Sequence, residues 1–252
     1  MSPKTIYFVA NWKMNGAPSD YKEINKVSLF FNKTYKKFKK IIVYCPPISL
    51  LTYFSKKIRS KMLYFGAQDI SSTDLNFGPQ TGTISSSIAK VSGANYVIIG
   101  HSEMRAEGDT FEIIKKKIDA ANKVNLKIIF CIGESLKDKN KNKSIAVLKK
   151  QISKSLIKKS NFKNLIFAYE PIWSIGTGLI PNEEYLNKIF YFLKKYLKDN
   201  YKIRNPKILY GGSVSGQNIK NLKLINNCSG FLVGGASLKA NNFIEIIRNY
   251  YN

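Results

Sequence analysis

One carboxylate in this sequence stands where an apolar segment ends and a glycine-punctuated loop begins. It is Glu170, which closes an apolar run and precedes Gly176 and Gly178. A carboxylate at a buried strand end can serve as a base once the site is closed and dry. The neighbouring loop can close over a small ligand. An exposed turn carboxylate is the plainer alternative.

The only histidine of the chain, His101, follows the apolar run Tyr96–Gly100 and lies close to Glu103. A single histidine is more often structural than catalytic. Its position after a predicted strand and beside a carboxylate favours the catalytic interpretation. A neutral imidazole there would donate a hydrogen bond to a substrate carbonyl and polarise it.

Asn11 and Lys13 follow the first apolar run in the same way. Lys13 supplies a positive charge for an anionic substrate or a developing oxyanion, and Asn11 supplies a neutral donor. Taken alone, Lys13 would be one more solvated lysine in a lysine-rich chain.

Two glycine pairs follow the last two apolar runs: Gly211-Gly212 before Ser213, and Gly234-Gly235 before Ala236. Glycine lets the backbone approach an anion closely, with amide N–H groups directed at it. Either pair alone would be explained by a tight turn. Together, after the seventh and eighth strands, they predict a phosphate site to which Ser213 adds a hydroxyl.

These groups suit one class of reaction. A carbon base, a neutral electrophile, a cation, a phosphate site and a lid favour proton transfer next to the carbonyl of a small phosphorylated sugar. Such a reaction requires no organic cofactor and no metal. The three cysteines are far apart and lack the spacing of a zinc site or a disulfide framework.

Short apolar runs alternating with amphipathic stretches must position these residues. Eight runs predict strands: Thr5–Ala10, Ile41–Cys45, Met62–Ala67, Tyr96–Gly100, Lys127–Cys131, Leu165–Glu170, Lys207–Gly211 and Gly230–Gly234. Apolar spacings of three and four residues predict helices over Tyr21–Phe38, Thr110–Val124, Ser144–Ile157, Asn182–Leu197 and Phe243–Tyr250. Because each run is apolar on both faces, we expect a parallel sheet covered by helices.

Eight such units in 252 residues predict an α/β fold, a single (β/α)8 TIM barrel domain over residues 1–252, with eight parallel strands surrounded by helices. A doubly wound open sheet is the rival, but it usually carries a glycine-rich phosphate loop after an early strand, and the sequence has none. The run Lys137–Lys143 predicts a solvated loop and helix start. In a barrel the polar residues after each strand meet at one end.

Forty-one Lys and Arg against 16 Asp and Glu give a net charge of +25. This excess suggests nucleic acid or an anionic surface as partner. Lysine is nevertheless spread along the predicted helices, with no aromatic-interleaved RNA-binding motif. We therefore expect no specific nucleic-acid partner, and a basic barrel with an added nucleic-acid role stays the alternative.

No apolar run approaches the roughly 18 residues of a membrane span, so a cytoplasmic protein without a membrane partner is expected.

Seven motifs, in order from Asn11 to the last strand, resemble those of the triosephosphate isomerase family. They are Asn11-Trp12-Lys13-Met14-Asn15, Gly66-Ala67-Gln68, Gly100-His101-Ser102-Glu103, Cys131-Ile132-Gly133-Glu134, Glu170–Gly178, Tyr210-Gly211-Gly212-Ser213-Val214 and Gly230–Leu238. The resemblance implies cofactor-free interconversion of dihydroxyacetone phosphate and D-glyceraldehyde 3-phosphate through an enediol(ate). It also implies a place in glycolysis and gluconeogenesis, adjoining the pentose phosphate pathway. An isomerase of another small sugar phosphate stays the same-fold alternative.

By position, the resemblance implies that Glu170 is the base and His101 the electrophile. Lys13 and Asn11 are expected to contact the substrate and its oxyanion, and Glu103 to support them. Backbone groups of four residues are expected to hold the phosphate: Gly176, Ser213, Gly234 and Gly235.

The chain also departs from the family pattern. Ser174 stands in the lid where the family usually has alanine, a change that should still allow closure. The family forms homodimers through the loop after strand three, in which Thr81 matches the threonine that meets the neighbouring site. Thr83 replaces an expected glutamate and Met104 an expected arginine, and in the family those two residues pair across the dimer. Since both partners are absent together, we expect a homodimer that has lost one ion pair.

Overall fold

The structure, a computed structural model, describes residues 5–34, 39–58, 60–157 and 162–252. Eight strands pair in sequence order and form a closed parallel barrel. They are β1 Ile6–Asn11, β2 Lys40–Cys45, β3 Leu63–Ala67, β4 Tyr96–Ile99, β5 Lys127–Ile132, β6 Leu165–Tyr169, β7 Lys207–Tyr210 and β8 Gly230–Val233. The predicted barrel is confirmed.

Closure of the barrel depends on β1, which pairs with β2 on one side and with β8 on the other. Gly230 opens β8 opposite Tyr7 with a φ of +147°. A Cβ on Gly230 would clash with the Tyr7 backbone. Glycine at this position therefore lets the last strand reach the first.

Ten helices cover the barrel in the described ranges. They are α1 Tyr21–Lys33, α2 Ile48–Lys57, α3 Ser86–Val91, α4 Ser102–Ala106, α5 Phe111–Lys123, α6 Leu136–Asn140, α7 Ser144–Ser155, α8 Glu183–Tyr201, α9 Ile219–Leu222 and α10 Ala240–Tyr251. Short 3₁₀ turns lie at Pro18–Asp20, Ile172–Ser174 and Gly235–Ser237. No helix in these ranges is both long and apolar enough to cross a membrane.

Alternation along the strands divides the core into two layers. Side chains pointing inward fill the barrel with residues such as Val9, Ile98, Ile129 and Leu209. The alternate positions pack outward against the helices. The barrel interior is thus a packed apolar core, and polar side chains lie at its two ends.

Predicted strand ends lie within one residue of the observed ends. The helix predicted over Tyr21–Phe38 is too long, because α1 ends at Lys33 and Thr34 is extended. Residues 35–38 of that prediction lie outside the described residues. The prediction of a solvated loop and helix start at Lys137–Lys143 is partly wrong, since the short helix α6 covers the first part of this run. Its N-terminus is capped by Ser135, which accepts a hydrogen bond from the Asp138 N–H at 3.1 Å.

Candidate active site

The carboxyl ends of the strands surround a cavity of about 300 Å³. The predicted catalytic and substrate-binding residues line it, with the exception of Glu103. The lining includes Asn11, Lys13, His101, Glu170, Gly176, Ser213, Gly234 and Gly235, together with Ile175, Gly211, Gly212, Val214, Leu232 and Ala236. Residues far apart in the sequence are therefore brought to one place.

Glu170 is buried at the end of β6, with 3% of its surface exposed. Its N–H donates to the Ile132 carbonyl at 2.8 Å, which fixes the backbone just beyond the strand. A Cβ on Gly211 would lie 2.6 Å from the Glu170 Cγ, and one on Gly133 would clash with the Glu170 carbonyl. Gly211 therefore leaves room for the Glu170 side chain, and Gly133 leaves room for its backbone.

Burial raises the pKa of Glu170 above the ordinary value of 4.5, because the charged form is poorly solvated. His101, Cys131 and Lys13 oppose this shift, and desolvation outweighs them. Its Oε2 is buried without a hydrogen-bond partner among the described residues. A carboxylate so little compensated has a strong tendency to accept a proton.

His101 lies beside Glu170 on the same wall of the cavity, with 3.4 Å between His101 Nε2 and Glu170 Oε1. Its Nδ1 accepts a hydrogen bond from the Glu103 backbone N–H at 3.2 Å. Because Nδ1 is the acceptor, the neutral ring carries its proton on Nε2. The imidazole therefore presents an N–H donor to the cavity.

Lys13 has a φ of +54°, which is unusual for a residue with a side chain. Two contacts hold it there. Gln68 Nε2 donates to the Lys13 carbonyl at 2.8 Å, and the Lys13 N–H donates to Asn11 Oδ1 at 3.2 Å. Strain at a functional position persists where neighbours over-determine it. Gln68 is a positioning residue to which the sequence pattern assigned no role.

Glu103 lies outside the cavity wall and reaches Lys13, with 2.6 Å between Glu103 Oε1 and Lys13 Nζ. Both side chains are partly exposed, so the pair contributes at most about 1 kcal/mol to stability. Its effect is to direct the Lys13 ammonium along the rim. Glu103 thus supports Lys13 through its carboxylate and His101 through its backbone N–H.

The two glycine pairs line the part of the cavity that lies beyond the ends of β7 and β8. Gly234 and Gly235 lead from β8 into the 3₁₀ turn at Gly235–Ser237, whose first N–H groups lack partners within the turn. Ser213 follows the other pair, and Gly176 approaches from the lid with a φ of +70°. This is a backbone-lined anion site.

A buried carboxylate holds the start of the lid, the segment Pro171–Ile180. Glu134 Oε1 accepts hydrogen bonds from three groups: Tyr169 OH at 3.0 Å, Trp173 Nε1 at 3.0 Å and Tyr185 OH at 2.9 Å. Hydrogen bonds to a buried carboxylate are among the stronger kind. The sequence pattern marks Glu134 only as part of a matching motif, and its role emerges from the fold.

Ser174 ties the two arms of the lid together. Its hydroxyl donates to the Leu179 carbonyl at 2.5 Å and lies 3.1 Å from Tyr210 OH. The side chain is fully buried. The hydroxyl that replaces the family's usual methyl group is therefore part of a bonded contact between the lid and β7.

No group of three His, Cys, Asp or Glu side chains in the described part of the chain is arranged to hold a metal ion. The chemistry available from the protein at this site is that of its own carboxylate, imidazole and ammonium groups, arranged around a small anion site.

Comparison with known proteins matches residues 6–250 to one family, triosephosphate isomerase. A triosephosphate isomerase of Bradyrhizobium diazoefficiens is 36% identical over 241 residues, covering 94% of each chain. One of Thermodesulfovibrio yellowstonii is 37% identical over 251 residues, covering 96% of this chain and 98% of its own.

The fold comparison agrees. The crystal structure of triosephosphate isomerase from Bartonella henselae at 1.6 Å resolution matches with a TM-score of 0.88 and 30% sequence identity. The match covers 98% of this chain and 99% of that one. The likeness extends over the whole barrel.

We expect Glu170→Gln to raise the free energy of unfolding at neutral pH by about 1–3 kcal/mol, because the folded protein no longer buries a carboxylate. The folded-state pKa is raised, so the burial penalty is present above that pKa and is relieved as pH falls through it. The increase in the free energy of unfolding should therefore disappear below about pH 4.5. Urea unfolding across pH, with Glu184→Gln as an exposed control, measures it. A gain that does not change with pH would contradict the assignment.

We expect Ser174→Ala to lower kcat/KM by about two- to tenfold, since about 1 kcal/mol of net hydrogen bonding to the lid is lost. Tyr210→Phe removes only the second contact and should have a smaller effect. The double variant should resemble Ser174→Ala, because both changes act on one contact. Steady-state kinetics on variants with unchanged thermal midpoints would test this. Parent-like kinetics in all three would show that the contact has no role in lid function.

Proposed function

The chain belongs to the triosephosphate isomerase family, and from this premise we propose that it interconverts dihydroxyacetone phosphate and D-glyceraldehyde 3-phosphate with Glu170 as the carbon base. The observation that carries the proposal is the pairing of two buried groups on one cavity wall, with 3.4 Å between Glu170 Oε1 and His101 Nε2. A base and a donor so close can act on adjacent atoms of one substrate.

The first step is removal of a proton from the carbon next to the carbonyl. Glu170 accepts that proton, and the electron pair moves onto the carbonyl oxygen to give an enediolate. The Nε2–H of His101 donates to the oxygen, and the ammonium of Lys13 neutralises its developing charge. Asn11 adds a neutral contact. The hydroxyl proton of the neighbouring oxygen passes to the former carbonyl oxygen, and Glu170 returns its proton to the other carbon, which gives the isomer with no atom gained or lost.

Size and charge favour a three-carbon substrate. The cavity of about 300 Å³ lies at the small end of the range for ligand sites. Gly234, Gly235, Ser213 and Gly176 would hold the phosphate, which fixes the distance from phosphate to reacting carbon. The lid over the site would exclude water and limit loss of phosphate from the enediolate. These features favour a triose phosphate over a longer sugar phosphate.

We propose that the enzyme acts in glycolysis and gluconeogenesis, in the cytoplasm. The excess positive charge of the chain, +25, would also draw an anionic substrate toward it.

We also propose that the protein acts as a homodimer. A groove of about 560 Å³ beside the active site is lined by Lys13, Met14 and Gln68 and by residues of the loop 71–84. Met14 is 96% exposed and Phe77, on that loop, is 64% exposed. In a twofold dimer each loop would enter the partner's groove.

The loop is preorganised for such docking. Its ends are joined by the Ser71 N–H, which donates to the Ile84 carbonyl at 2.7 Å. Gln80 Nε2 donates to Thr73 Oγ1 at 3.1 Å within it. Thr81 lies at its exposed tip, where it would meet the partner's Lys13 region. Thr83 bonds within its own loop, its hydroxyl donating to the Gln80 carbonyl at 3.0 Å.

We expect Glu170→Gln to lower kcat by roughly 10²- to 10⁴-fold, since the amide cannot accept the carbon proton. Affinity for inorganic phosphate should stay within about twofold, because the phosphate site is separate from the base. A coupled assay with either triose phosphate, and phosphate inhibition or direct binding, test the two parts. Equal loss of turnover and phosphate affinity would remove the base assignment.

We expect Phe77→Asp to weaken dimer association by at least about tenfold, because a charge would enter an apolar contact. Val91→Asp is the matched control, since Val91 is 72% exposed but lies on α3, outside the loop. Sedimentation velocity and turnover over a range of protein concentrations measure association and activity together. A monomeric parent protein with full turnover would overturn the dimer proposal.

A further inference from the structure

A second cavity lies at the opposite end of the barrel, where the strands begin. Its volume is about 330 Å³, similar to that of the active-site cavity. Seven residues line it: Tyr64, Lys90, Asn95, Asn125, Lys127, Lys163 and Asn164. Asn95 and Asn164 directly precede β4 and β6, and Lys127 opens β5.

The lining is unusually uniform in chemistry. Its described part contains three lysines, three asparagines and one tyrosine, and no carboxylate. Lys90 and Lys127 have no ion-pair partner among the described residues. Three lysines around one concave surface produce a positive potential there.

Lys127 differs from the many lysines on helix surfaces because it points inward. It shares the face of β5 that carries Ile129 and Cys131 into the barrel interior. Its Nζ lies 5.1 Å from the Tyr96 ring centroid and 5.5 Å from that of Tyr64. A partly buried ammonium held between aromatic rings loses little entropy when it binds an anion.

The asparagines add neutral donors. Their backbones are fixed: the Asn95 carbonyl accepts from Lys127 N–H at 2.9 Å, and the Asn164 carbonyl from Ile128 N–H at 2.8 Å. Lys90 Nζ lies 3.4 Å from the Asn125 carbonyl, which keeps it at the cavity edge. The side-chain amides of these three asparagines make no hydrogen bond to other described residues, so they are available to a ligand.

We propose that this cavity binds a small anion carrying a pyrophosphate group. Lysine binds phosphate as a point charge. Three lysines suit a ligand with two or more negative charges better than they suit a ligand with a single carboxylate. The amide and phenol groups can donate to the remaining phosphate oxygens. The site is separate from the isomerase site and does not depend on the reaction assigned to it.

The test is binding of inorganic pyrophosphate to the full-length protein by equilibrium dialysis, with the active site saturated by the triose phosphates. We expect about one pyrophosphate per chain to remain bound. A parallel measurement with adenosine diphosphate distinguishes inorganic from organic sources of the group, since tighter binding of either one identifies the preferred ligand.

Three lysine variants test whether pyrophosphate binds in this cavity. Lys127→Met keeps an apolar stem between the tyrosine rings and should weaken binding about tenfold or more, as expected for a charged hydrogen bond. Lys90→Gln, at the exposed edge, should weaken it about threefold. Lys188→Gln on α8 removes the same charge elsewhere and should leave affinity unchanged. All three should keep parental turnover.

Two results would overturn the proposal. One is the absence of bound pyrophosphate once the active site is saturated. The other is equal weakening by Lys188→Gln and Lys90→Gln, which would attribute binding to net charge. Because Lys90 is exposed on α3, its variant keeps the test decisive even if Lys127→Met fails to fold.

Discussion

The desolvation of the Glu170 carboxylate is the constraint around which the active end of the barrel is arranged. Glu170 lies at the end of β6, where glycine at position 211 leaves room for its side chain and glycine at position 133 leaves room for its backbone carbonyl. The same burial that raises its pKa costs stability at neutral pH. Loss of stability at a functional site is a common trade-off in proteins. Burial of the Glu170 carboxylate at the end of β6 therefore has two results: the base is more reactive, and the strand end is less stable.

Much of this arrangement is readable from sequence. Apolar runs of β-branched residues predict strand ends within one residue, because a strand buried on both faces has an unmistakable pattern. The polar residues after those runs meet in one cavity since parallel strands share a carboxyl edge. Residues acting through tertiary contacts are harder to foresee. Glu134 and Gln68 lie in motifs, but their partners come from other strands and loops, and spacing along the chain carries no such information.

Helix ends are the weaker part of the prediction. α1 stops at Lys33 although lysine and aromatic residues continue the pattern, and α6 forms in a run that composition assigns to a loop. In both cases local capping and chain direction decide where the helix ends, while periodicity reports only which face is apolar. The lid shows the same limit. Ser174 is visible as a substitution, yet its contact with Tyr210 follows only from the way the lid folds back on β7.

The presence of a single histidine has a practical consequence. His101 is the one imidazole in the chain, and its Nδ1 and Nε2 have different environments, the first toward a backbone N–H and the second toward Glu170. In a nitrogen-15 or proton NMR spectrum of the whole protein, every imidazole resonance therefore originates in the active site. The molecule carries its own reporter, so ring tautomer and substrate contact can be followed at one residue without an attached probe or a mutation.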